Sequence, residues 1–210
     1  MKEGYRRLKL LLMRIPDKSS LFFQSIVLFL LILTACDENP IPKPHGYFRL
    51  EMPERNYVDF DTNFPYTFEY PSYSKITRDP YSLDEPYWIN INFPRFKGTL
   101  HISYKSVNDT NLIGFLEDSR KFVVKHIPKA SAIYDSLILD RERNVYGMVY
   151  EIQGSAAASP FQFFVTDSSD HFVRGALYFN IVPNNDSLLP VIQFLRDDIH
   201  HLLKTFQWKK

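Results

Sequence analysis

One cysteine stands in 210 residues, Cys36. No internal disulfide can form, and the rest of the chain holds no thiol nucleophile. Stability must therefore come from burial alone. A basic excess is missing as well: 25 Lys+Arg face 24 Asp+Glu, so no positive field exists to recruit nucleic acid. No apolar run reaches the roughly 20 residues that a transmembrane helix needs. The nearest is Leu21–Ala35, fifteen residues broken by Gln24 and Ser25 and followed at once by Asp37 and Glu38. There is no internal repeat. The nucleophile elbow G-x-S-x-G, the zinc motif H-E-x-x-H, the P-loop and the dinucleotide fingerprint are all absent.

What is present begins with that apolar run. Lys2, Arg6, Arg7, Lys9, Arg14 and Lys18 precede it, Ile26–Leu33 is unbroken, and Leu33-Thr34-Ala35-Cys36 closes it. A positive segment, a short apolar segment and small residues before a cut are the parts of a secretory signal peptide. A cysteine at the cut marks a bacterial lipoprotein signal, in which the thiol is acylated and cleavage makes Cys36 the new N-terminus. Met13 is a second candidate start, since MRIPDKSS still supplies a basic lead. Residues 1–35 are thus read as signal peptide and Cys36 as the lipidated residue. Removing 35 from 210 leaves 175 residues, enough for one domain with a substantial core. The signal takes six basic and two acidic residues with it, leaving 19 against 22, a net of −3.

Asp37–Gly46 reads DENPIPKPHG, with Pro40, Pro42 and Pro44 alternating. Alternating proline favours extended polyproline II and forbids a central strand or a helix. At about 3.1 Å per residue, ten residues reach roughly 30 Å. Residues 36–46 are read as a lipidated stalk, with His45 a solvated part of it. Residues 47–210 then form a single globular domain.

Within that domain, Tyr66–Tyr70 alternates between two prolines and reads as an edge strand. Tyr81–Pro86 is a loop. Tyr87–Phe93 and Thr99–Lys105 form a hairpin about the turn Pro94–Gly98. Trp88 is expected to face away from Ile89 and Ile91. Leu100, Ile102 and Tyr104 share one face of the second strand, and Thr99, His101 and Ser103 share the other. A helix capped within Asp109–Asn111 runs to about Ile127, with Leu112, Leu116, Val123 and Ile127 inward and Glu117, Asp118, Arg120, Lys121 and Lys125 wet. Pro128 stops it. Ala132–Leu139, Val145–Gln153, Phe161–Thr166 and Phe172–Asn180 make an antiparallel meander. A last helix opens at Asn184–Ser187, with Pro190 in its first turn and Leu188, Val191, Ile192, Leu195, Ile199, Leu202, Leu203 and Phe206 in one apolar stripe. Trp208 is a short hydrophobic tail. The fold class is α+β, an antiparallel sheet covered by helices, and the element order resembles the Mog1/PsbP-type α/β/α sandwich.

The candidate chemistry is sparse. His101 lies on a polar strand face and reads as an ordinary strand residue. Asp197 and His201 share a helix face, where they read as an i, i+4 surface pair rather than metal ligands. His200 and His201 point about 100° apart. Asp197-Asp198 and Glu117-Asp118 read as solvated faces. GSAAASP, Gly154–Pro160, reads as a small-residue loop. Asp135–Leu137 and Asp186–Leu188 are Asp-Ser-Leu triplets. They resemble the O-glycosylation acceptor of exported Bacteroidetes proteins, although Asp186-Ser187 also suits a helix cap. No catalytic residue, cofactor site or metal site is assigned.

Six stretches together resemble the GldD family of gliding motility lipoproteins of Bacteroidetes. They are PKPHGYFR (Pro42–Arg49), FPYTFEYP (Phe64–Pro71), WININFPRFKGTLHISY (Trp88–Tyr104), EDSRKFVVKH (Glu117–His126), VYGMVYEIQGSAAASPFQFFVTDS (Val145–Ser168) and HFVRGALYFN (His171–Asn180). The resemblance implies a membrane lipoprotein needed for gliding and for the linked type IX secretion system. It implies other motility and secretion proteins as partners, no enzyme activity, no cofactor and no small-molecule substrate. Of the functional residues, only Cys36 carries over. The expected location is the outer membrane, facing the periplasm. An envelope enzyme or small-ligand binder with an unrecognised site stays open as the alternative, to be told apart by a deep pocket with converging polar groups in place of a shallow aromatic surface.

Cys36→Ala is expected to abolish both lipidation and signal cleavage. Metabolic labelling with a fatty acid checks this, since equal label on the wild type and the variant would refute the anchor.

Overall fold

The computed structural model describes residues 50–209, together with Ser19, Phe22, Phe23, Ser25 and Ile26, which are helical and exposed. Cys36, the Pro-rich stretch and His45 lie outside the described residues. Residues 50–209 belong to the compact unit Tyr47–Lys210. They carry ten strands and two helices.

In chain order the elements are β1 (Tyr57–Phe60), β2 (Tyr66–Pro71), β3 (Lys75–Arg78), β4 (Ile89–Phe93), β5 (Gly98–Ser106), α1 (Leu112–Val124), β6 (Ala132–Asp140), β7 (Val145–Gln153), β8 (Phe161–Thr166), β9 (His171–Phe179), α2 (Asn185–Thr205) and β10 (Gln207–Trp208). Seven strands form one antiparallel sheet in the order β3-β4-β5-β9-β8-β7-β6. The expected hairpin is β4–β5, with Phe93 opposite Gly98, and the expected meander is β6 to β9. A second, three-stranded antiparallel sheet has the order β1-β2-β10. The class is α+β, as the sequence indicates.

The period-2 pattern decides which face meets which layer. Leu100, Ile102 and Tyr104 of β5 are buried with Ile89 and Ile91 of β4 and with Phe161, Phe163 and Val165 of β8. This inner face is covered by α2 and the small sheet. Leu195, Ile199, Leu202 and Leu203 of α2 and Tyr66, Phe68 and Phe206 join the same cluster. Phe60 stacks on Phe68 at 4.9 Å and Tyr66 on Phe206 at 5.8 Å between ring centroids. On the opposite, outer face, Leu112, Phe115 and Leu116 of α1 pack on Phe164 and Phe172, and Val123 packs with Ile152. The part of the outer face on β4 and β5 is instead a polar ladder: Asn92 donates to Thr77 (3.0 Å), and Thr99 donates to Asn92 (3.2 Å). β8 is covered on both faces, so all six of its residues are buried.

Several expectations are corrected. β2 is the central strand of its sheet, not an edge: Pro65 lies before it and Pro71 is its last residue, so neither removes a donor from its interior. β1 and β3 were not foreseen, since four residues each give too few alternations to register. Trp88 packs against the inner cluster and donates to the Tyr104 carbonyl oxygen at 2.7 Å, rather than facing away from Ile89 and Ile91. α1 ends at Val124, and a short 3-10 turn, Ile127–Lys129, takes Ile127 out into solvent around Pro128. Asn111 makes no side-chain cap; the Asn108 amide oxygen accepts instead from the Thr110 and Asn111 N–H groups. Pro190 is the sixth residue of α2, in its second turn. Trp208 is no loose tail, because β10 pairs it with Tyr66.

Close approach of β7 to β8 depends on Gly147. A Cβ there would lie 1.9 Å from the Phe164 carbonyl oxygen, a backbone atom of the next strand. Gly147→Ala is expected to destabilise the protein by about 3 kcal/mol, the upper range for overpacking. Urea unfolding would check this; a midpoint equal to that of the wild type would refute it.

Candidate interaction surface

The polar residues singled out in the sequence are placed in separate surroundings. His101 lies on the outer face of β5. Its Nδ1 is 2.7 Å from the Asn90 Oδ1, and its ring meets Tyr178 edge-on at 5.7 Å. Burial pushes its pKa down, and Asp79 opposes this weakly. Asp197 and His201 do not pair with each other, contrary to expectation. Asp197 accepts from Arg55 at 3.0 Å. His201 instead meets Glu69 of β2 at 2.5 Å and stacks on Tyr57 at 3.7 Å. The two side chains share a helix face, but β1, β2 and the segment before β1 offer each a nearer partner. His200 points elsewhere, edge-on to Phe161 at 5.3 Å.

Asp198 overturns the reading of Asp197-Asp198 as a solvated face. It is 1 % exposed, on the buried side of α2. Its carboxylate accepts from the Tyr57 hydroxyl at 2.7 Å and from the Tyr73 hydroxyl, and Arg55 Nε lies 3.4 Å away. Burial first, and then the hydrogen bond to Asp198, pushes the Tyr57 phenol up to about 12; the same causes raise Tyr73. Arg55 also covers the Phe194 ring at 4.6 Å. The cluster ties the chain entering the body, Arg55 to Tyr57, onto the last helix. Buried carboxylates are stable when hydrogen-bonded and paired, and this one has three donors. Its role is that of a clamp.

A cleft of about 650 Å³ opens beside Trp208, lined by polar groups that include Arg143, Asp167, Asp170 and His171. Arg143, Asp167 and His171 are held by contacts within the fold. Arg143 pairs with Asp140 and donates to the Lys204 and Phe206 carbonyls at the end of α2. Asp167 accepts three backbone N–H groups of its own turn. Tyr104 and His171 Nδ1 are 2.8 Å apart, and His171 stacks on Trp208 at 5.2 Å. Among the described residues, no group of three or more His, Cys, Asp or Glu side chains is placed to hold a metal ion.

Exposed apolar residues occur in several places, and one group of them lies on β6 and α1. β6 is one of the two edge strands of the large sheet, β3 being the other, and is nine residues long. Leu137 is 70 % exposed and Leu139 59 %. They sit opposite Met148 and Tyr146 on the outer face, beside α1, whose Ile113, Phe122 and Val124 are also exposed. An outer strand presents one row of N–H and C=O groups to a potential partner. Apolar side chains grouped at such an edge mark protein interaction surfaces. Asp135 and Asp140 supply the charge that limits indiscriminate pairing. Ser136 of the first Asp-Ser-Leu triplet lies on this exposed strand, and Ser187 of the second lies in the first turn of α2. Sequence reasoning placed the strand but not its position at the edge, which only the pairing order reveals.

A family model described as gliding motility lipoprotein GldD matches residues 37–208. Comparison with curated proteins gives no match. Among solved structures, the chain is similar to the solution structure of cyanobacterial PsbP (CyanoP) from Synechocystis sp. PCC 6803. The TM-score is 0.47 at 10 % identity, covering 81 % of this chain and 100 % of that one. Among the described residues no helix is long and apolar enough to cross a membrane.

The clamp yields a paired test on neighbouring carboxylates. Asp198→Ala leaves the Tyr57 and Tyr73 hydroxyls without their acceptor and takes the buried carboxylate from Arg55, and is expected to cost about 3 kcal/mol, as for a broken buried pair. Asp197→Ala removes an exposed pair and is expected to cost less than about 1 kcal/mol. Equal losses in urea unfolding would refute the clamp.

Proposed function

The chain belongs to the GldD family of gliding motility lipoproteins, and from that premise we propose that it is a non-enzymatic, membrane-anchored part of the gliding machinery that works by binding other envelope proteins. Its role in gliding motility and its association with the cell envelope follow from the family. The proposal adds the anchor, the mode of action and the link to type IX secretion.

The observation that carries the reading is the extent of the family match. It starts at Asp37, directly after Cys36, and runs to Trp208. That start supports cleavage before Cys36, with residues 1–35 as the signal and the acylated Cys36 thiol as the anchor. Each buried CH2 contributes about 0.8 kcal/mol, and stable anchoring takes more than one acyl chain or a second signal. The Pro-rich residues 37–46 then act as a spacer. The favoured site is the outer membrane on its periplasmic side. Holding two partners at one membrane raises their effective concentration, so a modest interface such as the β6 edge with α1 suffices.

Deletion of the gene is expected to stop both colony spreading and type IX secretion, and the wild-type gene to restore both. Leu137→Lys with Leu139→Lys, which alters only exposed side chains of β6, is expected to reduce spreading at unchanged protein level and melting temperature. Cys36→Ala is expected to weaken spreading as well. Full spreading by the double lysine variant would exclude the β6 edge as the working surface. Normal secretion in the deletion strain would exclude the secretion role.

A further inference from the structure

Along β9, HFVRGALYF, residues alternate between the two faces of the large sheet. Val173 and Leu177 join the inner cluster. Arg174, Ala176 and Tyr178 therefore share the outer face. Ala176 is buried and small, so it forms a low floor with taller side chains around it. Register places Gln162 of β8 on one side of it and His101 of β5 on the other. Phe122 of α1 forms the wall: the Arg174 guanidinium lies 4.4 Å from its ring centroid, and Lys125 Nζ lies 5.0 Å from the same ring.

This cluster has donors without matching acceptors. Arg174 Nη2 donates to Gln162 Oε1 at 2.7 Å. The Gln162 Nε2 is buried and has no partner. Among the described residues three arginines are partly buried: Arg143, Arg174 and Arg196. Arg143 and Arg196 hold carboxylates at 2.8 and 3.5 Å. Among the described residues Arg174 holds none, and neither do Lys125, His126 or Lys129 around it. Burial pulls the Arg174 pKa down, with only the neighbouring Tyr178 phenol opposing. His126 is pushed down by burial and then by Arg174 and Lys129. A half-buried guanidinium normally has a carboxylate, because an unpaired charge out of water is costly.

We propose that Arg174 is the anchoring residue for a carboxylate carried by an acidic segment of a protein partner, with Phe122 and Tyr178 as the aromatic rim of that contact. The planar fork of a guanidinium matches a carboxylate through two parallel hydrogen bonds. Arginine and aromatic residues in a partly desolvated setting are the side chains that dominate protein interfaces. A protein segment fits better than an anionic membrane surface. Arg174 is half-buried on the sheet face beneath Phe122 of α1, where a single inserted side chain can reach it and a flat headgroup surface cannot. The site rests on the partner-binding reading above, and it names the chemistry of one contact.

The test uses the full chain in detergent, 15N-labelled, with blocked hexaglutamate as probe, blocked hexaglutamine as control and anionic phospholipid vesicles as a third arm. Hexaglutamate is expected to bind saturably, about tenfold tighter than hexaglutamine, the worth of one charge-assisted hydrogen-bonded contact. The Arg174 Nε–H and Gln162 side-chain amide resonances are expected to move with it. Arg174→Gln removes that advantage; Arg174→Lys keeps part of it. If Arg174→Gln unfolds, Phe122→Ala, which leaves the strand intact, is expected to weaken hexaglutamate binding. Equal binding of the two peptides, binding that leaves Arg174 resonances unmoved, or vesicle binding in place of peptide binding overturns the proposal. None of these readouts depends on motility, so their failure is distinct from failure of the spreading assay with the β6 variants.

Discussion

Leu195, Ile199, Leu202 and Leu203 of α2 and the stacked rings of Phe60, Phe68, Tyr66 and Phe206 fill the space over the inner face of the large sheet. With no disulfide in the body, this burial is what holds the layers together, and most other features serve it. A Cβ at Gly98 would lie 3.3 Å from the Phe179 ring and 3.4 Å from Leu195 Cδ1, so both side chains sit close over β5. Gly147 lets β7 lie close to β8. β10 continues from α2 and pairs with β2, so the helix cannot move without the small sheet. Arg143 covers the last carbonyls of α2 from the β6–β7 turn. Asp198 then fixes the incoming chain to the same helix. A seven-stranded sheet has more apolar area on one face than a single helix can cover, and the small sheet supplies the rest.

Elements with many alternations were legible in the sequence, because each added residue tests the period again. β5, β7, β8 and the stripe of α2 span six or more positions and lie where the pattern places them. β1 and β3 carry four residues each, and a period-2 pattern over four positions hardly differs from chance. The edge assignment of β2 failed for a different reason. Proline excludes a central position only inside a strand, whereas Pro65 and Pro71 bracket this one. Strand order is likewise not a property of any local stretch. That β9 sits between β5 and β8, and that β6 is left outermost, depends on α1 crossing from β5 to the meander. No window of the sequence carries that information.

The same limit governs the polar groups. Asp197 and Asp198 are neighbours with identical side chains, and a helix turns by about 100° between them. One is exposed and the other buried. The apolar stripe of α2 puts position 198 on the flank between Leu195 and Leu202, a signal that was present but weak. Its partners, Arg55, Tyr57 and Tyr73, lie more than 120 residues away and could not be named beforehand. Arg174 was hidden in the same manner. In HFVRGALYF it is one polar residue in an alternating strand, as unremarkable as His101. Only the register of β8 and the position of α1 reveal that it lacks a carboxylate.

The two faces of the large sheet thus differ in how fully their chemistry is used internally. On the inner side, polar groups at the margin of the core are matched: Asp198 with its three donors, Trp88 with the Tyr104 carbonyl, Tyr66 with the Tyr87 carbonyl. On the outer side, β6 offers an open strand edge, Leu137 and Leu139 project into solvent, Gln162 Nε2 is buried without a partner, and Arg174 has no carboxylate among the described residues. Folding free energy alone gives no reason to keep a half-buried guanidinium without a carboxylate, since an apolar residue of similar volume avoids the desolvation cost. Association supplies one. A partner that brings both an edge to pair with β6 and an acidic side chain would satisfy groups that the chain leaves open. Within the body, the clamp fixes Arg55 and Tyr57 to α2 on the inner side of the large sheet, and Arg174 and the exposed leucines of β6 lie on the outer side.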